Sequence, residues 1–330
     1  MNNMNNMNNR SNMDNISEDS VSIDEEFVMK TELIKLGNEV RAAILPRLND
    51  NKREIIGRQY GGDPHFGLDE VAEQTVEKVL KRWKLPIAYF SEDRGLVCFH
   101  EKPEWLLIID PIDGTRPAMV NFESCCFSVA VTPYSSYPKF SEITNALALE
   151  LKSGEYFYAD ANQPKITSSV LGLPSLTEKA DLEKMFWSTE LTAHPIKQIT
   201  KVCGDLIDNS VTLGAVFVFT SSSYSLTRIV TGQLDAHVDV GHRIVQDYPE
   251  TAEEFLKVGR GKIATLFPYD IAAAAFILIK AGGIVTDAYG ESLDKLSLIT
   301  DKSIKGQCSI IAASNSELHG KIRNQLKWQN

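Results

Sequence analysis

Long apolar runs, basic charge and cysteine are all scarce in this 330-residue sequence. No segment approaches the roughly 18 uninterrupted apolar residues that a membrane span requires, so we expect no membrane partner. The first ten residues are Met and Asn repeats with one Arg, and no apolar core follows them, so we expect no secretory signal. The five Cys, an odd number without regular spacing, indicate a reducing compartment, here the cytoplasm, rather than a disulfide framework.

Acidic side chains outnumber basic ones. With 34 Lys and Arg against 44 Asp and Glu, the formal net charge is -10. This balance argues against nucleic acid as a general partner, and an anionic small-molecule substrate would need local positive charge, including a bound cation. The composition, 43% hydrophobic and 24% charged, is that of a globular enzyme with one large or two modest domains.

The apolar periodicity divides the chain into a tail and two halves. We expect residues 1–20, rich in Asn and Met, to be disordered, whereas residues 21–175 read as helices packed on an antiparallel sheet. Residues 176–330 read as alternating strands and helices, so the chain as a whole is predicted to be α+β. Strands are predicted at 87–89, 106–110, 126–132, 146–151, 155–159, 185–188, 216–219, 236–240, 284–286 and 310–313. Helices are predicted at 24–45, 69–83, 224–231, 271–281 and from 316 onward.

One segment combines an apolar run with two carboxylates. The run from Trp105 to Ile109 predicts a buried strand, which Pro111 and Gly114 should end, so that Asp110 and Asp113 lie at its end. Two neighbouring carboxylates repel each other unless a cation or a shared proton compensates, and oxygen ligands of this kind suit Mg²⁺. A surface turn is an equally good interpretation of this spacing alone, because Asp, Pro and Gly are ordinary turn formers.

Three motifs in order resemble those of a known family. Asp110-Pro-Ile-Asp113-Gly-Thr115 is similar to the signature of the inositol monophosphatase superfamily, which includes fructose-1,6-bisphosphatases and 3'-phosphonucleotide phosphatases. An acidic pair lies upstream in Ser91-Glu92-Asp93, and Tyr269-Asp270-Ile-Ala-Ala273 follows downstream. The resemblance, most evident to the archaeal and bacterial branch, implies a layered α-β-α-β-α sandwich with the active site in a cleft between the two halves.

The same resemblance implies a metal site and catalytic residues. It assigns two or three Mg²⁺ ions to Glu92, Asp110, Asp113, Asp270 and the main-chain carbonyl of Ile112. Thr115 would orient the attacking water, the N–H groups of Gly114 and Thr115 would hold phosphate oxygens, and Glu92 and Glu73 would take part in catalysis, with Glu73 as the water-activating acid. The alternative interpretations are a loop charge for Glu92, a helix cap for Asp270 and a solvated helix face for Glu73.

Substrate recognition is less determined by the sequence. Thr220, Ser221 and Ser222 match the stretch that contacts the substrate in relatives, although a Ser/Thr-rich turn is an equally good interpretation. Arg116 directly follows the Gly-Thr turn, where a guanidinium could bind a second phosphate or a carboxylate. The stretch 242–267 is longer than in compact relatives, which leaves inositol specificity open.

The sequence therefore predicts a cytoplasmic, homodimeric, Mg²⁺-dependent phosphatase. It would hydrolyse a small phosphate monoester, an inositol monophosphate or a sugar bisphosphate, by direct attack of a metal-activated water. The alternatives are a 3'-phosphoadenosine 5'-phosphate phosphatase and a non-catalytic regulatory protein that retains the fold.

Overall fold

The structure is a computed structural model that describes residues 19–48, 55–58, 64–301 and 303–328. The predicted disordered tail, 1–20, lies outside these residues except for Asp19 and Ser20, which begin the first helix. In the described part of the chain the helices are α1 (Asp19–Ile44), α2 (Gly67–Leu80), α3 (Thr115–Met119), α4 (Ile196–Ser210), α5 (Ser222–Val230), α6 (Gly241–Asp247), α7 (Ala252–Val258), α8 (Pro268–Lys280) and α9 (Ser316–Gln325).

A mixed sheet, here called sheet 1, occupies the first half of the chain. A separate antiparallel pair, β1 (Ile55–Arg58) and β2 (Pro64–Phe66), precedes sheet 1 in the chain. The strands of sheet 1 are β3 (Ile87–Ser91), β4 (Gly95–Cys98), β5 (Trp105–Asp113), β6 (Cys126–Pro133), β7 (Asn145–Glu150), β8 (Tyr156–Asp160) and β9 (Thr167–Ser168), in the order β4-β3-β5-β6-β7-β8-β9. The expectation of an antiparallel sheet was wrong for one pair, because β3 and β5 are parallel. The chain leaves β3 through the edge hairpin with β4 and then crosses back to β5 on the other side.

The second half contains sheet 2. Its strands are β10 (Phe186–Thr189), β11 (Ala215–Phe217), β12 (Ala236–Asp239), β13 (Ile284–Asp287) and β14 (Ile310–Ala313), in the order β11-β10-β12-β14-β13. The strands β11, β10 and β12 are parallel, whereas β14 runs antiparallel to β12 and β13. All ten strands predicted from the sequence are present, with ends that differ by no more than three residues.

Helices and sheets alternate in layers. Helices α1 and α2 cover one face of sheet 1, α5 and α8 lie between the two sheets, and α4, α6 and α9 cover the outer face of sheet 2. Helix α8 buries residues on all sides, from Ile271 through Ala275 to Leu278, because a sheet covers it on each flank. The predicted α-β-α-β-α sandwich is thereby confirmed.

The sequence analysis missed several helices, of which α4 is the longest. Ile199, Val202, Cys203 and Leu206 are buried on one face of α4 at helical spacing, so the signal was present in the sequence. Helices α3, α6 and α7, of five to seven residues, are too short for their periodicity to be recognised. No helix in the described residues has both the length and the apolar character needed to cross a membrane.

Candidate active site

A cavity of about 100 Å³ lies where β5, α5 and α8 meet. It brings together most of the residues that the sequence predicts for the site, namely Glu92, Asp110, Ile112, Asp113, Gly114, Thr115, Arg116, Thr220, Ser222 and Asp270. The same wall contains residues that were not predicted: Glu190, Thr192, His194, Ala264, Thr265, Leu266 and Phe267. The cavity therefore draws on both halves of the chain.

Strand β5 places the two central carboxylates. It does not stop at Pro111, as the sequence suggested, but continues to Asp113 through a bulge, where the register with β6 shifts between Asp110 and Asp113. A bulge re-aims side chains, so two residues three positions apart are both buried at the cavity. Gly114 then has φ +95°, and a Cβ at this position would lie 2.4 Å from the carbonyl oxygen of Ser124. Only glycine fits this turn, from which α3 begins at Thr115.

Asp113 also holds the start of α5. Its Oδ2 accepts hydrogen bonds from the Ser221 hydroxyl, at 2.9 Å, and from the backbone N–H of Ser223. Ser221 is also the N-cap of α5, because its Oγ accepts the N–H of Tyr224 at 3.1 Å. The structure thus places Ser221, predicted as a substrate contact, against Asp113, and it does not line the cavity, whereas Thr220 and Ser222 do.

The pKa values of the central carboxylates are raised by burial and, for Asp110, by neighbouring carboxylates. Burial, together with the charges of Asp113, Asp270 and Asp69, raises the pKa of Asp110 well above its usual range. Burial raises the pKa of Asp113 to about 6, even though the Ser223 and Ser221 donors favour its ionised form. Buried carboxylates that oppose each other's ionisation form a place where a cation is stabilising, and their hard oxygen donors fit Mg²⁺.

The donor set is open rather than a closed cage. Among the described residues, no three His, Cys, Asp or Glu side chains are already arranged to hold a metal ion. Mg²⁺ does not need such a cage, because proteins commonly hold it through one or two carboxylates, with water and substrate phosphate oxygens as the remaining ligands. The carboxylates around Asp110 therefore fit this ion in company with a phosphate ester.

Thr115 contacts an aspartate that the sequence analysis did not single out. Its Oγ1 donates to Asp69 Oδ1 at 2.7 Å and lies 3.2 Å from the carbonyl oxygen of Ile112. Asp69 is buried in the first turn of α2, where its Oδ2 accepts the N–H of Phe66 at 2.8 Å. Asp69 and Glu73 are four residues apart and share one face of α2, so sequence spacing could not choose between them.

Glu73 occupies an adjoining cleft. With Asp69, Glu92, Asp93 and Asp110, it lines a small space of about 10 Å³ beside the main cavity. Burial raises the pKa of Glu73 to about 7, which is a value suited to a proton acceptor near neutral pH. Its predicted part in water activation stays a prediction.

Asp270 caps a helix, and Thr220 has a strained backbone conformation. Asp270 Oδ2 accepts the N–H of Phe267 at 2.7 Å and so caps α8, while the residue also lines the cavity. Thr220 adopts φ +54°, and its hydroxyl donates to the carbonyl of Phe219 at 2.7 Å. A left-handed conformation is costly for a β-branched residue, and such strain tends to be retained at functional sites.

A buried ion pair supports the wall formed by the loop after β10. His194 Nε2 lies 3.5 Å from Asp239 Oδ2, and both side chains are almost fully enclosed. Burial alone would lower the pKa of His194, but the charge of Asp239 and its hydrogen bond raise it to about 9. The same contacts lower the pKa of Asp239 although burial opposes this. Asp239 therefore favours the charged form of the histidine.

Comparison with known proteins agrees with this geometry. The inositol monophosphatase family matches residues 25–329. The chain belongs to this family. Family membership makes it a phosphatase, a hydrolase of phosphoric monoesters, in a family that depends on metal ions.

Individual relatives are distant but cover nearly the whole chain. A fructose-1,6-bisphosphatase/inositol-1-monophosphatase of Methanothermobacter thermautotrophicus is 24% identical over 91% of this chain and 97% of its own length. The structure of the extragenic suppressor protein suhB from Bartonella henselae superposes with a TM-score of 0.68 at 15% identity, covering 90% of this chain and 98% of the other. A Pyrococcus horikoshii protein with similarities to inositol-1 monophosphatase gives a TM-score of 0.65 at 21% identity, covering 91% and 99%. The fold is thus shared at low sequence identity.

Proposed function

We propose that this phosphatase hydrolyses a small phosphate monoester, of the inositol monophosphate or sugar bisphosphate class, with two or three Mg²⁺ ions per site. The observation that carries the proposal is the burial of Asp110 and Asp113 together at a cavity where Thr115 is hydrogen-bonded to Asp69. Hydrolysis by direct attack of water on a phosphate ester requires carboxylates that bind cations and a fixed hydroxyl that orients the water.

The metal ligands would be Glu92, Asp110, Asp113, Asp270 and the carbonyl oxygen of Ile112. When bound, Mg²⁺ supplies charge neutralisation for the phosphate and lowers the pKa of a coordinated water. Asp113 is held by Ser221 and the Ser223 N–H, so its carboxylate is oriented before any cation arrives. Preorganisation of this kind reduces the cost of assembling the site around substrate.

Thr115 and Asp69 can position a water and accept its proton. Because the Thr115 proton is directed to Asp69, the lone pairs of Oγ1 remain to accept a hydrogen bond from a water that attacks phosphorus. As the water oxygen bonds to phosphorus, its proton passes to Thr115 while the Thr115 proton moves to Asp69. The ester P–O bond then breaks, the leaving alkoxide oxygen takes up a proton from solvent, and Asp69 returns its proton to solvent, so the protons balance. Glu73, in the adjoining cleft, is the second candidate acceptor that we propose.

Several residues that line the cavity would contact the substrate. Gly114 and Thr115, at the start of α3, would direct their N–H groups at phosphate oxygens, and Arg116 would bind a second anionic group. Thr220 and Ser222 would contact the alcohol part of the substrate. These assignments are proposals that rest on the position of each residue at the cavity.

The names of relatives supply the substrates to try. The Methanothermobacter relative is named as both a fructose-1,6-bisphosphatase and an inositol-1-monophosphatase. A Methanococcus maripaludis relative, of which the match covers 47%, is named as a bifunctional NADP phosphatase/NAD kinase. A panel of inositol 1-phosphate, fructose 1,6-bisphosphate, NADP⁺ and 3'-phosphoadenosine 5'-phosphate therefore spans the candidate classes.

The test is phosphate release from this panel with Mg²⁺, with EDTA and with Ca²⁺. We expect turnover of at least one inositol or sugar phosphate that requires Mg²⁺ and stops in EDTA. Release from no compound would favour the non-catalytic alternative, and release from 3'-phosphoadenosine 5'-phosphate alone would favour the nucleotide alternative. Sedimentation equilibrium tests the homodimer, and microscopy of a fluorescent fusion tests the cytoplasmic location, both of which we also propose.

A further inference from the structure

Part of the cavity wall comes from two loops of sheet 2 that carry no residue of the phosphate or metal chemistry. The first loop follows β10 and contributes Glu190, Thr192 and His194, and the second precedes α8 and contributes 264–267. We call these two loops the sheet 2 wall. The second loop ends the long stretch 242–267, which also contains α6 and α7.

Glu190 presents one free carboxylate oxygen in this wall. The side chain is 8% exposed, and its Oε1 accepts the N–H groups of Leu191 at 2.8 Å and Thr192 at 2.6 Å. Its other oxygen, Oε2, accepts no hydrogen bond from any described residue. Two backbone donors thus fix the carboxylate, and a carboxylate can only accept hydrogen bonds. A buried acceptor at a cavity wall calls for a donor on the ligand.

Thr265 is fixed in the same way by a buried amide. Its N–H and its hydroxyl donate to Gln307 Oε1 at 2.9 and 2.6 Å, and Gln307 Nε2 donates to the carbonyl of Ile263 at 2.8 Å. Gln307 is 4% exposed, so these bonds are shielded from water. Because the Thr265 proton is directed to Gln307, its Oγ1 keeps lone pairs that can accept a hydrogen bond from a cavity ligand.

His194 anchors the first loop against the inserted helices. Its Nδ1 contacts the carbonyl of Thr192, its Nε2 faces Asp239, and its ring lies edge-on to Phe255 of α7 at 5.9 Å. A Cβ at Gly241 would lie 1.9 Å from Nε2, so α6 begins directly against the ring. Because Nδ1 contacts a backbone carbonyl and Nε2 faces Asp239 beside Gly241, both nitrogens point into the protein, and His194 acts by positioning the loop.

We propose that Glu190 and Thr265 form a hydroxyl-binding subsite that selects phosphate monoesters of polyols. Gln307 and the His194–Asp239 pair are its positioning residues. Two fixed acceptors that line the same cavity match the hydroxyl donors of a polyol, and the negative charge of Glu190 disfavours a second phosphate at that place. The proposal rests on the proposed function, since it requires a phosphate monoester in this cavity.

Glu190→Gln is the most direct variant, because it keeps the shape of the side chain. The amide oxygen can retain the two backbone hydrogen bonds, while the amide nitrogen replaces the free acceptor with a donor. We compare kcat/KM for inositol 1-phosphate, which has hydroxyls, with that for phenyl phosphate, which has none. The expected loss is about 10- to 100-fold on inositol 1-phosphate and less than about threefold on phenyl phosphate.

Two further variants complete the design. Glu183→Gln removes an exposed carboxylate outside the cavity and is expected to match the wild type on both substrates. Thr265→Val removes the second acceptor, together with the hydroxyl's hydrogen bond to Gln307, and should lower kcat/KM on inositol 1-phosphate alone, by about two- to tenfold. If circular dichroism and the melting temperature show that Glu190→Gln does not fold, Thr265→Val provides the same comparison of the two substrates.

The outcomes separate this proposal from the proposed function. A loss confined to inositol 1-phosphate supports the subsite, whereas equal losses on both substrates, or none, overturn it while leaving phosphatase activity established. Gln307→Leu adds a check on positioning, because it should raise KM for inositol 1-phosphate more than it lowers kcat. If the wild type hydrolyses neither substrate with Mg²⁺, the proposed function itself fails, and the subsite with it.

Discussion

The hydroxyl of Thr115 donates to Asp69 Oδ1 at 2.7 Å, although the two residues are 46 positions apart in the chain. Asp69 is fixed by the Phe66 N–H in the first turn of α2, and Thr115 is the first residue of α3. Two helix starts therefore meet at the cavity. A carboxylate that orients a hydroxyl beside buried acidic residues is an arrangement that favours proton transfer from a water.

We predict that Asp69→Asn lowers kcat by about 100- to 10,000-fold with little change in KM, because general base assistance is worth that much. Asparagine can still accept a hydrogen bond, but it cannot take the proton. Steady-state kinetics on inositol 1-phosphate measure the effect, with Glu77→Gln on the same helix as the control. A variant that keeps a third of wild-type kcat would exclude Asp69 as the acceptor and leave Glu73 as the candidate.

Mg²⁺ should stabilise the fold apart from any activity. A ligand at 100 times its dissociation constant adds about 2.7 kcal/mol, and we expect the melting temperature to rise by roughly 5 °C. Asp110→Asn should melt higher than the wild type in EDTA, because it removes one of several buried charges that repel each other, and it should lose most of the Mg²⁺ shift. Asp208→Asn, on the exposed face of α4, is the control. A wild-type melting temperature that does not change when millimolar Mg²⁺ is added would contradict the proposed metal site.

The sequence was sufficient for the framework and for most of the cavity. The run from Trp105 predicted β5, and the three motifs predicted which chain segments would meet, because β3, β5 and α8 each bring one of their ends to the cavity. The bulge at Pro111 was not predictable, since Pro and Gly are normally read as strand ends and the register with β6 depends on tertiary pairing.

Other parts of the site depend on contacts that one sequence does not display. Asp69 and Glu73 are equivalent by spacing, and only the position of Thr115 distinguishes them. Glu190 and Thr265 belong to loops without periodicity, so their place in the wall follows from the packing of α7 on His194 and from Gln307. Ser221 matches the stretch that contacts the substrate in relatives, and its hydroxyl donates to Asp113, a contact that the sequence does not display. Its predicted contact with the substrate stays a prediction.

The His194–Asp239 pair should make stability depend on alkaline pH. The pKa of His194 is raised in the folded protein to about 9, above its ordinary value of 6.5. The resulting stabilisation is complete below about pH 6.5 and is lost as the pH rises through about 9, a change of about 3 kcal/mol. Urea unfolding at pH 7 and pH 9.5 measures it in the wild type and in the double variant His194→Gln/Asp239→Asn. Equal losses in both proteins would show that the pair does not cause the effect.

Arg116 should select substrates that carry a second anionic group. It lies at the cavity directly after the Gly114–Thr115 turn, and a partly desolvated hydrogen bond to an anion is worth about 1.5 to 3 kcal/mol, or about 10- to 150-fold in kcat/KM. Arg116→Ala is therefore expected to lose that factor on fructose 1,6-bisphosphate and far less on inositol 1-phosphate. Equal losses on both would mean that Arg116 only shapes the turn or adds general positive charge.

The central claim is that the buried carboxylates hold the cations that make hydrolysis possible, and Asp113→Asn tests it most directly. The asparagine oxygen can still accept the Ser221 and Ser223 hydrogen bonds, so the fold should survive, while one ligand charge is lost. With phosphate release measured on inositol 1-phosphate at saturating Mg²⁺, we predict that kcat falls by at least roughly a thousandfold. A folded variant that keeps more than about a tenth of wild-type turnover would contradict the account.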